Sequence, residues 1–463
     1  MSSNFNTTRR DWLRTSACGF GYLALANMLP GAREAVAGPL ATREPHFAPK
    51  AKRVIFVFLQ GAPSHLDLVD YKPKLQADDG KPESNTADTG NPRKYLGSPW
   101  KFSQHGQSGQ WFSELLPNVA KHADRWCVVK SLTTDIPNHP QAVLQLHTGS
   151  HRFTRPSMGS WVLYGLGTEN QELPGFISIN PLSRVGGVQN YGNAFLPAAF
   201  QATRIGAEGR DISTAKLNHI SNAEINSSEQ RRQLQLLSRL HANRERTTPV
   251  SDDTELDSVI ESYELAFRMQ DSVPRLLDLA SESADTLSLY GIGNKVTDGF
   301  GRQCLMARRF AEAGVRFIEV THTGWDHHNN LRQQMTGRTA EIDQPIAALI
   351  SDLAQRGLLK DTLVVVGGEF GRTATAQGTD GRDHSVSGFP MLLAGAGVKP
   401  GLSYGATDDY GVQAVEKKSH IYDLQATILH ILGLNHEQLT YNYAGRPFRL
   451  TDVHGNVLHD ILA

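Results

Sequence analysis

Residues 315–328 read V-R-F-I-E-V-T-H-T-G-W-D-H-H. The first part, Val315 to Thr321, is a β-branched and aromatic run of the kind found in a strand covered on both faces. Directly after it come His322, Asp326, His327 and His328. In open α/β sheets ligands sit beyond the carboxyl ends of the strands, so a buried strand that delivers titratable groups at its end predicts both a fold class and a place for a site.

The same pattern occurs twice more. Arg53 to Leu59 (R-V-I-F-V-F-L) runs into Q-G-A-P-S-H-L-D, which brings Ser64, His65 and Asp67 into the following turn. Thr362 to Gly367 leads to G-E-F-G-R-T and then G-R-D-H, with Glu369, Arg372, Arg382, Asp383 and His384. Further strands are expected at Trp126 to Ser131, Phe176 to Ile179 and Pro390 to Ala394. Apolar residues recur at helical spacing from His139 to Gly149 and from Pro156 to Gly167, and each run ends at a glycine suited to a helix C-cap. Helices are also expected around Arg302 to Ala313, Ile342 to Arg356 and Ile421 to Leu432. This alternation predicts an α/β fold with a mainly parallel central sheet and helices on both faces. Residues 76–109, rich in Gly, Asp, Asn, Ser, Pro and Lys, read as a surface excursion. Residues 221–294 are polar and helix-periodic, with E-Q-R-R-Q-L-Q-L-L-S-R-L as the clearest stretch, and read as a helical insertion into a single domain spanning 38–463.

Thr8 to Arg14 reads T-R-R-D-W-L-R and is followed by a weakly apolar stretch, Ala17 to Leu29, and by the small-x-small pattern Ala35-Val36-Ala37. That order predicts a twin-arginine signal over residues 1–37 and export to the periplasm or beyond. The apolar stretch is broken by Gly19 and Gly21 and falls short of the roughly 20 residues of a membrane span, so no stable anchor is expected. Of three cysteines, Cys18 falls in the signal, while Cys127 and Cys304 sit in apolar strand-like and helical runs and are expected as buried free thiols in preference to a disulfide.

The chain is 39% hydrophobic and 20% charged, enough apolar material for a large core. Its formal net charge is -1, and removal of residues 1–37 leaves 42 basic against 45 acidic residues. No basic face for nucleic acid is expected.

Histidines and carboxylates together suit zinc, manganese or iron, and carboxylates alone suit calcium or magnesium. A divalent ion so held lowers the pKa of bound water and polarises an ester oxygen. The candidate ligands are His65, Asp67, Asp326, His327, His328, Glu369, Asp383 and His384. Arg372 and Arg382 offer paired donors to a tetrahedral oxyanion.

Across nearly its whole length the chain resembles a bacterial exported family, domain of unknown function 1501, in the alkaline phosphatase and sulfatase superfamily. The likeness rests on Q-G-A-P-S-H-L-D-L-V-D-Y-K-P, R-P-S-M-G-S-W-V-L-Y-G-L-G, G-W-D-H-H, G-G-E-F-G-R-T, G-R-D-H and the tail L-T-Y-N-Y-A-G-R-P-F-R-L-T-D-V-H-G. It implies an alkaline-phosphatase-like fold and a metal-dependent hydrolase of phosphate or sulfate esters, acting on a small molecule or a polysaccharide. Three features depart from the superfamily pattern. Gln60 and Gly61 stand where an Asp usually follows the first strand, Glu369-Phe370 replaces an Asp-His pair, and neither Cys127 nor Cys304 lies in the C/S-x-P-x-R motif of formylglycine sulfatases. On this likeness His139, in N-H-P-Q-A-V-L-Q-L-H-T-G, falls at the nucleophile position. Ser64, His139, Thr148 and a metal-bound water remain candidate nucleophiles. The rival expectation is a non-catalytic exported binding protein that keeps the fold and serves envelope or polysaccharide handling.

Overall fold

The computed structural model describes residues 38–83, 93–215, 225–247 and 254–463. The twin-arginine segment, with Cys18, lies outside the described residues.

The centre is a nine-stranded sheet among the described residues. In chain order its strands are β1 (Arg53–Leu59), β2 (Trp126–Thr133), β3 (Phe176–Ile179), β4 (Thr203–Ile205), β5 (Phe317–His322), β6 (Thr362–Gly367), β7 (Phe389–Gly395), β8 (Ser403–Tyr404) and β9 (Ser419–His420). In space they lie in the order β8-β2-β7-β6-β1-β5-β3-β4, with β9 also on β2. Every residue of β1, β5 and β6 is buried; β1 and β6 are accordingly near-continuous apolar runs, whereas β5 buries Glu319, Thr321 and His322 beside Phe317, Ile318 and Val320.

Register decides where the chemistry goes. β1 pairs in parallel with β5 on one side and β6 on the other, Leu59 lying beside His322 and Phe58 beside Gly367. The three carboxyl ends therefore finish at one level, and the loops that follow them share one rim of the sheet.

The strand expected at Pro390 to Ala394 forms as β7 but runs antiparallel to both β6 and β2. No crossover helix separates β6 from β7. A hairpin of Gly371–Ala376 and Arg382–Ser385 joins them, and such a return reverses the chain. The register of β7 on β2 shifts between Phe389 and Met391, at Pro390, which has no N–H to give to the ladder.

Seven longer helices complete the fold: α1 (His139–Thr148), α2 (Met158–Leu166), α3 (Ser227–Thr247), α4 (Thr254–Leu277), α5 (Asp298–Glu312), α6 (Leu331–Gln355) and α7 (Ile421–Ile431). α6 begins well before the expected Ile342, because its first turns are polar and carry little apolar periodicity. The stretch read as a helical insertion holds the pair α3 and α4, joined by Gln270 Nε2 donating to Gln230 Oε1 at 2.8 Å and by Arg231 over the Phe267 ring. The expected surface excursion holds a short hairpin, Phe102–His105 with Gln110–Ser113. Cys127 and Cys304 are buried and free, and burial pushes the Cys127 thiol up to about 12. Among the described residues no helix is long and apolar enough to cross a membrane.

A buried ion pair fastens the β6–β7 hairpin to the loop after β1. Arg382 Nε and Nη2 reach Asp67 Oδ2 and Oδ1 at 2.7 and 3.0 Å, with both side chains fully buried. Ser64 Oγ donates to the same carboxylate at 2.6 Å. Removing one partner leaves the other charge buried and uncompensated, so Asp67→Ala should lower the unfolding free energy by about 3–5 kcal/mol in urea titrations. A loss under about 1 kcal/mol, the value of an exposed pair, would show that the clamp is not structural.

Candidate metal centre

Four side chains converge on the rim of the sheet. His139 opens α1, after Asn138 in extended conformation and before Pro140, which is tolerated in a first turn. Asp326 and His328 follow β5 after a turn at Gly324, whose φ is 91°. His384 sits on the second strand of the hairpin, opposite Arg372. Two glycines make the close approach possible. A Cβ on Gly61 would lie 2.7 Å from Asp326 N, and one on Gly381 would lie 1.9 Å from His328 O.

One ligand atom from each of His139, Asp326, His328 and His384 lies within 4.8 Å of the others. The Nε2 atoms of His328, His139 and His384 stand 2.9, 3.1 and 3.3 Å from Asp326 Oδ1. Each imidazole is held from behind by its other nitrogen. His139 Nδ1 donates to Glu369 Oε1 at 2.5 Å, His384 Nδ1 to the Pro137 carbonyl at 2.7 Å, and His328 Nδ1 to Gln377 Oε1. A carboxylate and a carbonyl can only accept, so the proton is fixed on Nδ1 and the Nε2 lone pairs face the centre. His139 Nε2 is buried and makes no aligned hydrogen bond.

Three inward lone pairs and a carboxylate oxygen form a donor set that a cation satisfies. In the protein alone a proton takes that place: burial disfavours the His139 imidazolium, yet Asp326 and Glu369 outweigh it and raise the group to about 9. Burial likewise opposes ionisation of Asp326, but the adjacent His139, His384 and Arg372 hold its carboxyl far below the usual carboxylate range. A metal ion bound here would displace protons from the same atoms. Three imidazoles suit zinc, manganese or iron, and they do not suit calcium, which takes oxygen ligands. The Asp326 side chain is 41% exposed, so the centre opens to solvent on that side.

The remaining candidates occupy other posts. Glu369 is fully buried behind His139, and both its oxygens accept from Gly61 N at 3.0 and 3.3 Å; it aims the imidazole instead of joining the four. Arg372 was expected to hold an anion, but its guanidinium is buried and bonded to the carbonyls of Gly61, Ala62, Trp325 and Arg382 and to Asp326 Oδ1 at 2.7 Å. Arg382 and Asp67 form the clamp described above, and Ser64 is tied to it, 1% exposed, so none of the three faces the centre. His65 is buried with Nε2 on the Gly411 carbonyl at 2.8 Å, and desolvation lowers its pKa. His327 turns away to the Gly324 carbonyl at 3.0 Å, and burial drops it to about 4. Asp383 accepts from the His384 backbone N–H at 2.8 Å. Thr148 bonds Leu144 O at the far end of α1.

Sequence reading did not find the second-nitrogen partners Pro137 and Gln377, and it gave His139 a nucleophile's place and not a ligand's. The Asn-His-Pro start of a helix was the available signal for His139; nothing in the sequence marks Gln377. α1 also begins at the centre with no side-chain cap on its first turn, so the positive end of its dipole lies there. Pro140 has no N–H and Ala142 N bonds Asn138 O, which leaves the N–H groups of His139 and Gln141 as the first-turn donors outside the helical ladder.

No curated protein matches this sequence. Among solved structures the chain is similar to the alkaline phosphatase from the Antarctic bacterium TAB5, at 10% identity and a TM-score of 0.36 over 84% of this chain and 99% of that one. It is similar to the lipoteichoic acid synthase LtaP from Listeria monocytogenes at 10% identity and a TM-score of 0.36, covering 89% and 78% of the two chains. The PsFucS1 sulfatase from Pseudoalteromonas sp. gives 13% identity and a TM-score of 0.35, covering 84% and 68%. Likeness at this level assigns no activity to this chain. The family pattern described as "Protein of unknown function (DUF1501)" matches residues 51–462, and the chain belongs to that family.

Proposed function

We propose that this protein is exported through the twin-arginine route and hydrolyses phosphate or sulfate esters at a single divalent metal ion held by His139, Asp326, His328 and His384. The observation that carries the reading is the triple Nδ1 anchoring, which presents three imidazole lone pairs and one carboxylate oxygen to a common point. A divalent ion bound there supplies Lewis acidity and a water of lowered pKa.

The chain's own residues do the rest. Glu369 keeps the His139 proton on Nδ1 and, through the buried carboxylate behind it, raises the basicity of the inward nitrogen. The uncapped first turn of α1 offers N–H donors to the charge of the anionic ester, a task that the saturated Arg372 cannot perform. Phe370 lies against the rings of His139 and His384, at 4.7 and 4.6 Å between centroids, and keeps water from that side. Substrate enters over the exposed edge of Asp326. Both described cysteines are buried in the core, so neither serves as a nucleophile.

The rival, a binding protein without turnover, is favoured by one observation: four protein ligands complete a tetrahedral zinc site, whereas catalytic zinc keeps a position for water. The two readings separate on one preparation. Natively exported protein should carry stoichiometric metal and hydrolyse members of a phosphate and sulfate monoester panel, with turnover lost on chelation and in His384→Ala. Absence of turnover anywhere in the panel, with metal or without it, would leave the binding protein standing, and absence of metal would sink the hydrolase.

Glu369→Gln removes the charge behind His139 while keeping the side chain's shape. It should weaken metal affinity by roughly 10–100-fold in a chelator competition, with the folded far-ultraviolet circular dichroism spectrum retained. Unchanged affinity would mean that Glu369 does not position this ligand.

A further inference from the structure

A polar cleft adjoins the metal centre. Its outer lobe, of 520 Å³, is lined in part by His420, Tyr422, Glu437, Arg449 and His454, and its inner lobe, of 390 Å³, by Thr133, Thr134, Val386 and Ser387. Both volumes fall in the range of small-molecule sites. Asp135, His420 and Asp423 belong to both lobes, so the two share a wall.

Two chain segments tie the inner lobe to the metal centre. Asp135 stands two residues before Pro137, whose carbonyl holds His384, and Val386 stands two residues after His384. A two-residue step covers at most about 7 Å, so the wall of the inner lobe stands within that reach of the residues that hold the metal centre.

The cleft carries a ladder of flat rings. His420 stacks on Tyr422 at 4.6 Å and 25°, and Tyr422 on His454 at 4.8 Å and 23°. His454 is exposed at the end of the ladder. Around the rings stand carboxylate acceptors on Asp135 and Glu437 and guanidinium donors on Arg449. The frame is fixed: Asp423 accepts the His420 and Asn456 backbone N–H groups, each at 2.7 Å, and Asp135 lies 3.3 Å from His420 Nε2.

A pyranose matches this arrangement. Its axial C–H face lies on the electron-rich face of an aromatic ring, and its hydroxyls both donate and accept at the rim. Charge narrows the class further. Asp135, Asp423 and Glu437 against Arg449 and Lys418 leave the two lobes close to neutral, and Arg449 is paired with Glu437 at 3.5 Å, so the cleft offers a densely charged chain no strong field to bind.

We propose that this cleft binds neutral saccharide units, so that the ester cleaved is an isolated charged group on an otherwise neutral polysaccharide. The substrate class rests on the hydrolase reading above, whereas saccharide binding in the cleft does not. Calorimetric titration of the folded, metal-loaded protein with cellohexaose, maltohexaose, xylohexaose and chitohexaose tests it, with dextran sulfate as the charged comparison. At least one neutral hexasaccharide should bind, and bind equally to His384→Ala. His454→Ala, which removes an exposed ring and should keep its metal, should weaken that binding about 3- to 10-fold. Glu437→Gln, also at an exposed position, should weaken it while leaving metal content unchanged. Binding of no neutral hexasaccharide, binding indifferent to both cleft substitutions, or preference for dextran sulfate would overturn the proposal. Saccharide binding without ester turnover would retire the hydrolase reading and keep the subsite.

Discussion

A guanidinium with no access to water must find acceptors for its N–H groups within the protein, and Arg372 finds them in three different loops. Its donors reach the carbonyls of Gly61 and Ala62 after β1, of Trp325 after β5, and of Arg382 across the hairpin, and then Asp326 itself. The loops at the ends of three adjacent strands are thus drawn around one charge. Burial lowers the Arg372 pKa, and Asp326 and Glu369 offset that cost. One oxygen of Asp326, Oδ1, meets both Arg372 and the three imidazoles. The anchoring of the cluster and the anchoring of the loops are one network, and its failure at Arg372 would free several backbone carbonyls in a dry interior at once.

The fold was legible because its signals are local. β1, β5 and β6 are buried on both faces, and that burial writes itself into Arg53–Leu59 and Thr362–Gly367 as apolar runs that no surface strand would carry, while β5 mixes Phe317, Ile318 and Val320 with buried polar residues. Gly149, in the left-handed region at φ 70°, ends α1 as its sequence implies. Strand direction was not legible for β7, since Phe389–Gly395 reads the same whichever way it runs; only the absence of a helix after Gly367 hinted at a reversal.

The site was legible as a place and only partly as a set of contacts. Asp326, His328 and His384 meet as the clustering after the strands suggested, but His65, Asp67, His327 and Arg372 carry the same residue types in the same loops and do other work. The difference lies in which way a side chain turns within a residue or two. His327 and His328 are neighbours, yet one bonds the Gly324 carbonyl inside its own turn and the other reaches Gln377. Residue type tells that a histidine needs a partner; it does not tell which partner the turn places within reach.

The sequence separations inside this centre bear on how the protein matures. Gly61 and Glu369, bonded directly, lie 308 residues apart, and the four converging side chains come from α1, the loop after β5 and the hairpin before β7. Only Asp326 and His328 are neighbours, so a partly folded chain presents at most that pair to an ion and holds it weakly. Capture of an ion there would therefore be a late event, coupled to closure of the sheet's long-range pairings, and the mature centre would offer an ion a geometry that the nascent chain never does.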